Sequence, residues 1–248
     1  MDITTDGIKV VNADISSDAM TDTVPDITDT VPDVASRQSV PGSLPEPDAP
    51  REPLEPHAPL RLAVILGSNR EGRFGPVISD WFLSRAAERT DFTTELIDLA
   101  GTDLPTALSF NPGPAVRAEL AKVTSRLADA DAFVLLTPEY NHSFPAAVKS
   151  LIDWHYNEWQ AKPIGFVSYG GISGGLRAVE QLRQVFAELH AVTVRDTVSF
   201  QNARANFDDE GRPKDPTGCD AAAKAMLDQL AWWGLALREA KARRPYGG

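Results

Sequence analysis

The stretch Gly67-Ser68-Asn69-Arg70-Glu71-Gly72-Arg73-Phe74-Gly75-Pro76 separates an apolar run, Leu62–Leu66, from a helical pattern. A glycine-rich turn between a strand and a helix presents free backbone N–H groups to an anion. This one adds the Ser68 hydroxyl and the Arg70 and Arg73 guanidiniums, whose planar forks match phosphate oxygens. It lacks the Lys-Ser/Thr ending of a nucleoside triphosphate loop and is not G-x-G-x-x-G, so the guest it fits is a terminal phosphate monoester. Two further stretches carry unusual chemistry. Thr137-Pro138-Glu139-Tyr140-Asn141-His142-Ser143-Phe144-Pro145 combines rigid proline, an aromatic plane, and amide and carboxylate groups. A flat heterocycle needs that combination, with stacking on one side and hydrogen bonds along its edge. Ser168-Tyr169-Gly170-Gly171-Ile172-Ser173-Gly174-Gly175 carries four glycines, which let backbone N–H groups approach a ligand closely.

These loops need a scaffold that brings them together. From Pro59 onward the chain alternates strand-like and helix-like segments. Strands are expected over Arg61–Leu66, Phe92–Leu99, Ala132–Thr137, Ile164–Tyr169 and Val192–Val198, and helices near 75–89, 115–129, 144–156, 175–190 and 217–243. The first, third and fourth strands are continuous apolar runs, the pattern of strands covered by helices on both faces. Right-handed crossovers then give a doubly wound parallel sheet. Five strands suit the flavodoxin-like order 2-1-3-4-5, in which loops after strands 1, 3 and 4 open at one edge and the ligand sits at the switch point. Gln201–Pro216, rich in Asn, Asp, Gly and Pro, reads as a surface loop before the final helix.

Charge divides unevenly. Of the formal −11, residues 1–58 hold 12 Asp/Glu against 3 Lys/Arg, and the remainder holds 23 against 21. The folded part is thus nearly neutral, without the basic stripe that tracks nucleic acid. Residues 1–58 read as a disordered acidic, proline-rich tail, in which Asp22-Thr23-Val24-Pro25-Asp26 recurs as Asp29-Thr30-Val31-Pro32-Asp33. Prolines at this density exclude a continuous helix there. The tail is expected to be a dispensable appendage, with residues 59–248 forming the working domain. No run approaches a membrane-spanning length. Asp2 and Asp6 at the start argue against secretory and mitochondrial targeting segments. Cys219, the lone cysteine, allows no intramolecular disulfide and no cysteine-based metal site, which fits a cytoplasmic compartment.

A phosphate cradle beside a planar-ring site implies a mononucleotide cofactor, and FMN fits best. Gly67-Ser68-Asn69-Arg70, Pro138-Glu139-Tyr140-Asn141 and Ser168-Tyr169-Gly170-Gly171 together resemble the NAD(P)H-dependent FMN reductases, flavodoxin-like enzymes that include quinone, azo-dye and chromate reductases. The resemblance runs from about Leu60 to Val198. It implies that Ser68, Asn69 and Arg70, with the amides around Arg73 and Phe74, hold the FMN phosphate. Pro138, Glu139, Tyr140 and Asn141 would lie along the ribityl chain and ring, and Ser168, Gly170 and Gly171 would contact the ring edge. Many such enzymes carry a hydroxyl two or three positions after the arginine. This chain has Glu71-Gly72-Arg73 instead, which puts Arg73 forward as a replacement contact. The resemblance also implies a homodimer or homotetramer with the flavin near a subunit boundary.

The expected chemistry is hydride transfer from NADPH or NADH to FMN and on to a small-molecule acceptor, in ping-pong fashion. The flavin carries the reaction, so no side-chain nucleophile and no metal are required. His142 beside the second loop is a candidate proton donor to a quinone, set against a packing role. Glu139 is read either as an acid/base group or as a carboxylate fixing loop geometry. Asp153 and His155, two residues apart on a helix, share no face and make a poor pair. Trp154, Tyr156 and Trp159 are core or interface, and Trp232 and Trp233 cannot both face inward. The alternative is a flavodoxin-type electron carrier or redox sensor without nicotinamide turnover. Carriers dock through an acidic rim; here Arg70, Arg73, Arg117 and Arg177 lie in or near the loop face of a near-neutral domain.

Overall fold

The computed structural model describes residues 57–247. The N-terminal tail, save its last two residues, and its internal echo lie outside them. Six strands form one parallel sheet: β1 (Leu60–Leu66), β2 (Phe92–Asp98), β3 (Ala132–Pro138), β4 (Pro163–Gly170), β5 (Val192–Thr193) and β6 (Val198–Gln201). The order is β2-β1-β3-β4-β5, with β6 also pairing with β4. This is the doubly wound flavodoxin-like sheet.

Alternation along the strands builds two cores, as successive side chains point to opposite faces. Leu62, Val64 and Leu66 of β1, Val134 and Leu136 of β3, and Val167 of β4 pack against α1 (Gly75–Ala87) and α6 (Pro216–Arg243) through Ile78, Phe82, Met226 and Leu230. Ala63, Ile65, Phe133, Leu135 and Phe166 face the other way. They meet α3 (Thr124–Asp129), α4 (Ala146–Asp153) and α5 (Leu176–Glu188) through Leu127, Leu151, Leu182 and Phe186. Trp159 is fully buried in this second core against Phe133 and Phe186.

Two elements differ from expectation. The helix expected over 115–129 is broken into α2 (Pro114–Ala121) and α3. Thr124 Oγ1 donates back to the Leu120 carbonyl at 2.9 Å, a side-chain bond that competes with helix continuation. The fifth strand is split, because the chain leaves the ladder after Val194, whose amide still donates to the Ile164 carbonyl, and rejoins it at Val198. Arg183 donates to the Val194 and Arg195 carbonyls, and Gln229 exchanges two bonds with Asp196, so side chains satisfy the backbone that the sheet abandons.

The register aligns the strand ends. Leu66 pairs with Leu136, Pro138 with Tyr169, and Gly170 with Gln201. The chain therefore leaves β1, β3, β4 and β6 at one edge.

Candidate cofactor site

At that edge lies a cleft of about 440 Å³. Its walls come from all four loops: Arg70 and Phe74 after β1, Pro138 to Tyr140 at the end of β3, Tyr169 to Gly171 at the end of β4, and Asn202 to Ala205 after β6.

The first loop closes on α1, whose first residue is Gly75. A Cβ there would overlap Ser68 Oγ and come within 2.8 Å of the Tyr169 hydroxyl, so only glycine lets the three meet. Ser68 and Tyr169 are buried, and their hydroxyls meet no partner other than each other. Burial pushes the Tyr169 phenol up to about 12, so it stays a neutral donor at physiological pH. Orphaned buried polar atoms are rare in native structures and call for a partner. Here they sit beneath a helix N-terminus, where an anion is favoured.

Arg73 faces elsewhere. Its terminal nitrogens lie on Asp98 at the end of β2, at 2.5 Å each, and on the Ser68 carbonyl at 2.6 Å. Burial opposes ionisation of Asp98, but hydrogen bonds from Arg73 and the Ala100 amide outweigh it and hold the carboxyl below its ordinary range. The Asp98 bond in turn raises Arg73 further, against its partial burial. Both terminal nitrogens are thus engaged inside the protein, and Arg73 fixes the loop rather than lining the cleft. Arg70 does line it, with its guanidinium over the Tyr140 ring, 5.3 Å from the centroid.

The second loop turns tightly. Tyr140 and Ser143 exchange backbone hydrogen bonds at 2.8 and 3.1 Å, and Asn141 and His142 take φ of 49° and 73°. Two successive left-handed residues are the signature of a type I′ turn, for which asparagine is well suited. Gln181 donates to the His142 carbonyl and accepts from Ser143, tying the turn to α5. The side chains of Asn141 and His142 are exposed on the turn and do not line the cleft. Glu139 is mostly buried and accepts from the Arg177 amide and guanidinium at 3.2 and 3.1 Å. Burial would raise its pKa, but bonds from Ser173 and Arg177 prevail and keep it below the ordinary carboxylate range. Glu139 therefore joins the second loop to the third.

In the third loop the four glycines do two jobs. Gly170 and Gly171 line the cleft. Gly175, at φ 88°, leaves no room for a Cβ, which would reach Ser168 Cβ at 2.6 Å. Ser168 is fully buried and donates to the Gly174 carbonyl at 2.8 Å, so it shapes the turn from behind. Asn69 is exposed at the rim.

The turn after β6 is a site element that the reading of 201–216 as a surface loop misses. A 3-10 turn, Ala203–Asn206, begins at Asn202 with φ 48°, and the Asn202 amide donates to the Gly171 carbonyl. The available signal was an asparagine suited to left-handed backbone directly after a short strand.

Away from this edge, His155 is buried, with Nδ1 on the Leu151 carbonyl and Nε2 on Thr124 Oγ1. Arg117 lies on the Pro112 carbonyl. Trp154 donates to the Pro105 carbonyl, whereas Tyr156, Trp232 and Trp233 are exposed. Among the described residues no group of three or more His, Cys, Asp or Glu could hold a metal ion, and no helix is long and apolar enough to cross a membrane.

A parallel sheet with a glycine-rich first loop, an aromatic second loop and orphaned hydroxyls at its switch point defines a flavodoxin-like nucleotide-binding protein. The chain belongs to the NADPH-dependent FMN reductase family, whose model matches residues 60–205. It is 39% identical over 132 residues to an NAD(P)H-dependent FMN reductase of Schizosaccharomyces pombe, a match covering 50% of this chain and 64% of that protein. It is 28% identical over 181 residues to an NADPH:quinone oxidoreductase of Arabidopsis thaliana, covering 63% and 92%. The flavoenzyme NAD(P)H:(acceptor) oxidoreductase of Paracoccus denitrificans shares the fold, with a TM-score of 0.56 and 22% identity over 71% of this chain and 98% of that one.

FMN, the group this family implies, fits the residues present. A buried hydroxyl pair at the α1 N-terminus suits the phosphate, and Phe74, Tyr140 and Tyr169 give the cleft aromatic walls for a flat ring.

Proposed function

We propose that the protein is an FMN-dependent NAD(P)H oxidoreductase with a small-molecule acceptor such as a quinone, azo compound or flavin. The observation that carries the reading is the cleft itself, walled by Phe74, Tyr140, Tyr169 and the Gly170–Gly171 backbone, with the Ser68 and Tyr169 hydroxyls buried together behind it against Gly75 at the start of α1. FMN, when bound, supplies the redox chemistry, accepting hydride from NAD(P)H and passing it to the acceptor in alternation. The chain's own residues bind and orient. Ser68 Oγ, Asn69, Arg70 and the amides leading to Phe74 grip the phosphate, with Arg73 holding that loop in shape. Pro138, Tyr140 and the Asn141 backbone lie along the ribityl chain and ring, and Glu139 keeps their loop against the next. Amides of Gly170 and Gly171 face the ring edge, where N–H donors stabilise negative charge on a reduced ring. Ser168 supports them from beneath.

The same reading places the protein in the cytoplasm as a homodimer or homotetramer. Exposed Trp232 and Trp233, 63% and 37% accessible, support an interface on α6. A monomer by light scattering would refute that assembly. Residues 59–248 are proposed as the reductase domain, so deletion of residues 2–57 leaves flavin content and turnover intact.

The deciding experiment is an anaerobic stopped-flow mix of FMN-loaded protein with NADPH, followed at the oxidised-flavin band near about 450 nm. Fast bleaching, reversed by a quinone, is expected. Bound flavin that NADPH leaves oxidised would make the protein a carrier or sensor instead.

A further inference from the structure

Four arginines lie on or next to the loops that form the cleft, and they are of two kinds. Arg73 is matched by Asp98 and Arg177 by Glu139. Arg70 and Arg204 line the cleft, and neither belongs to an ion pair among the described residues. Each lies instead on an aromatic face, Arg70 over Tyr140 and Arg204 over Phe74 at 5.1 Å. A ring beneath a guanidinium fixes its plane without using the N–H groups along its edge.

Arg204 comes from the far side of the sheet, on the turn after β6. Its Nη2 donates to the Gly72 carbonyl at 3.0 Å, so one of its five donors is engaged and the others stay available. Gly72 and Phe74 belong to the loop that opens α1, the end of the helix that favours negative charge. The turn carrying Arg204 is anchored. Ala203 is buried, Asn202 donates to Gly171, and the Ala205 amide donates to the Asn202 carbonyl at 2.8 Å. An unmatched, oriented guanidinium beside a helix N-terminus is a preorganised phosphate receptor.

We propose that Arg204 is a second phosphate-binding arginine of this site, which brings the β6 turn onto a phosphate monoester, either that of FMN at the α1 N-terminus or that of a dinucleotide bound beside it. The proposal rests on the reading of the cleft as an FMN and NAD(P)H site. Two ligands could supply the monoester: FMN through its 5′-phosphate and NADPH through its 2′-phosphate.

The test compares full-length wild type with Arg204→Gln and Arg204→Lys. It measures FMN and riboflavin affinities by flavin fluorescence, and kcat/KM for NADPH and NADH. If Arg204 grips FMN, R204Q weakens FMN roughly tenfold or more and leaves riboflavin, which lacks the phosphate, unchanged. If it grips NADPH, flavin affinities hold while kcat/KM falls about tenfold for NADPH and not for NADH. In either case R204K, which keeps the charge but loses the fork, falls between. The proposal is overturned if R204Q stays within about twofold of wild type for all four ligands, or if ligands with and without the phosphate monoester weaken equally. Wild type that fails to bind FMN at all would refute the underlying reading as well, a result distinct from both.

Discussion

The two edges of the sheet treat buried polar groups in opposite ways. At the amino edge the buried polar side chains Lys162 and His155 find their partners within the fold. Lys162, 6% exposed, donates to the Leu127 and Ala128 carbonyls at 2.8 Å, and so caps the last turn of α3. His155 has partners on both ring nitrogens. At the carboxyl edge the Ser68 and Tyr169 hydroxyls have only each other, and among the described residues Arg70 and Arg204 form no ion pair. One edge is finished by folding, and the other is finished by a ligand. Variants at the amino edge should therefore cost stability and spare binding, whereas those at the carboxyl edge should weaken binding.

Gly75→Ala gives the largest break. The new methyl must displace Ser68 Oγ, Leu66 Cδ1 and the Tyr169 hydroxyl from positions that leave it no room. Overpacking of this kind costs about 1–3 kcal/mol. Titration with FMN should show affinity reduced roughly 10- to 100-fold, because the displaced groups build the proposed phosphate cradle. Full affinity in a folded G75A protein would detach this cradle from the cofactor.

Lys162→Met probes the other edge. It leaves two helix-end carbonyls without a donor, so thermal unfolding should lose about 1–3 kcal/mol while FMN affinity is unchanged. The edges also differ in the sign of their pH dependence. Burial, and then the neighbouring Lys241 charge, push the Lys162 ammonium from 10.5 down to about 8. Between those values the unfolded chain holds a proton that the folded one lacks, so wild-type stability rises with pH relative to K162M, by at most about 3 kcal/mol. Burial pushes Tyr169 from 10.0 up to about 12. In that window the folded chain keeps a proton that the unfolded one loses, so stability falls relative to Tyr169→Phe. Chemical denaturation of the three proteins across pH 8–12 checks both slopes.

What could be read in advance follows the same divide. β1, β3 and β4 declare themselves as apolar runs because both their faces are buried, and the loops after them stand out by composition. The break in the fifth strand was not legible. It depends on Arg183 donating to the Val194 carbonyl, 11 positions on, and on Gln229 accepting from the Asp196 amide, 33 positions back. The turn after β6 reads as ordinary surface chain, since Arg204 gains meaning only from Gly72 and Phe74, more than a hundred positions away. Arg73 shows the converse. Its place in the loop suggested phosphate, yet Asp98, which claims it, arrives through the pairing of β2 with β1.

That claim gives a smaller, sharper test. If Arg73 and Asp98 act as one unit that shapes the loop, Arg73→Gln and Asp98→Asn should weaken FMN by similar amounts, within roughly tenfold. The double variant should be no worse than either single one. Additive losses would return Arg73 to direct contact with the phosphate.

The smallest effect is expected at His142. Its side chain lies outside the cleft wall, and its carbonyl, not its ring, is held by Gln181. His142→Ala keeps a Cβ at φ 73° and so retains the backbone cost of the turn. Turnover with a quinone should stay within about twofold of wild type across pH 6–8, where a histidine proton donor would leave a titration. His142→Gly relieves that cost and should stabilise the protein by up to about 1 kcal/mol, again without changing turnover. A large fall in kcat for H142A, with FMN affinity intact, would move a side chain of the second loop into the reaction and give the ligand-finished edge a proton donor of its own.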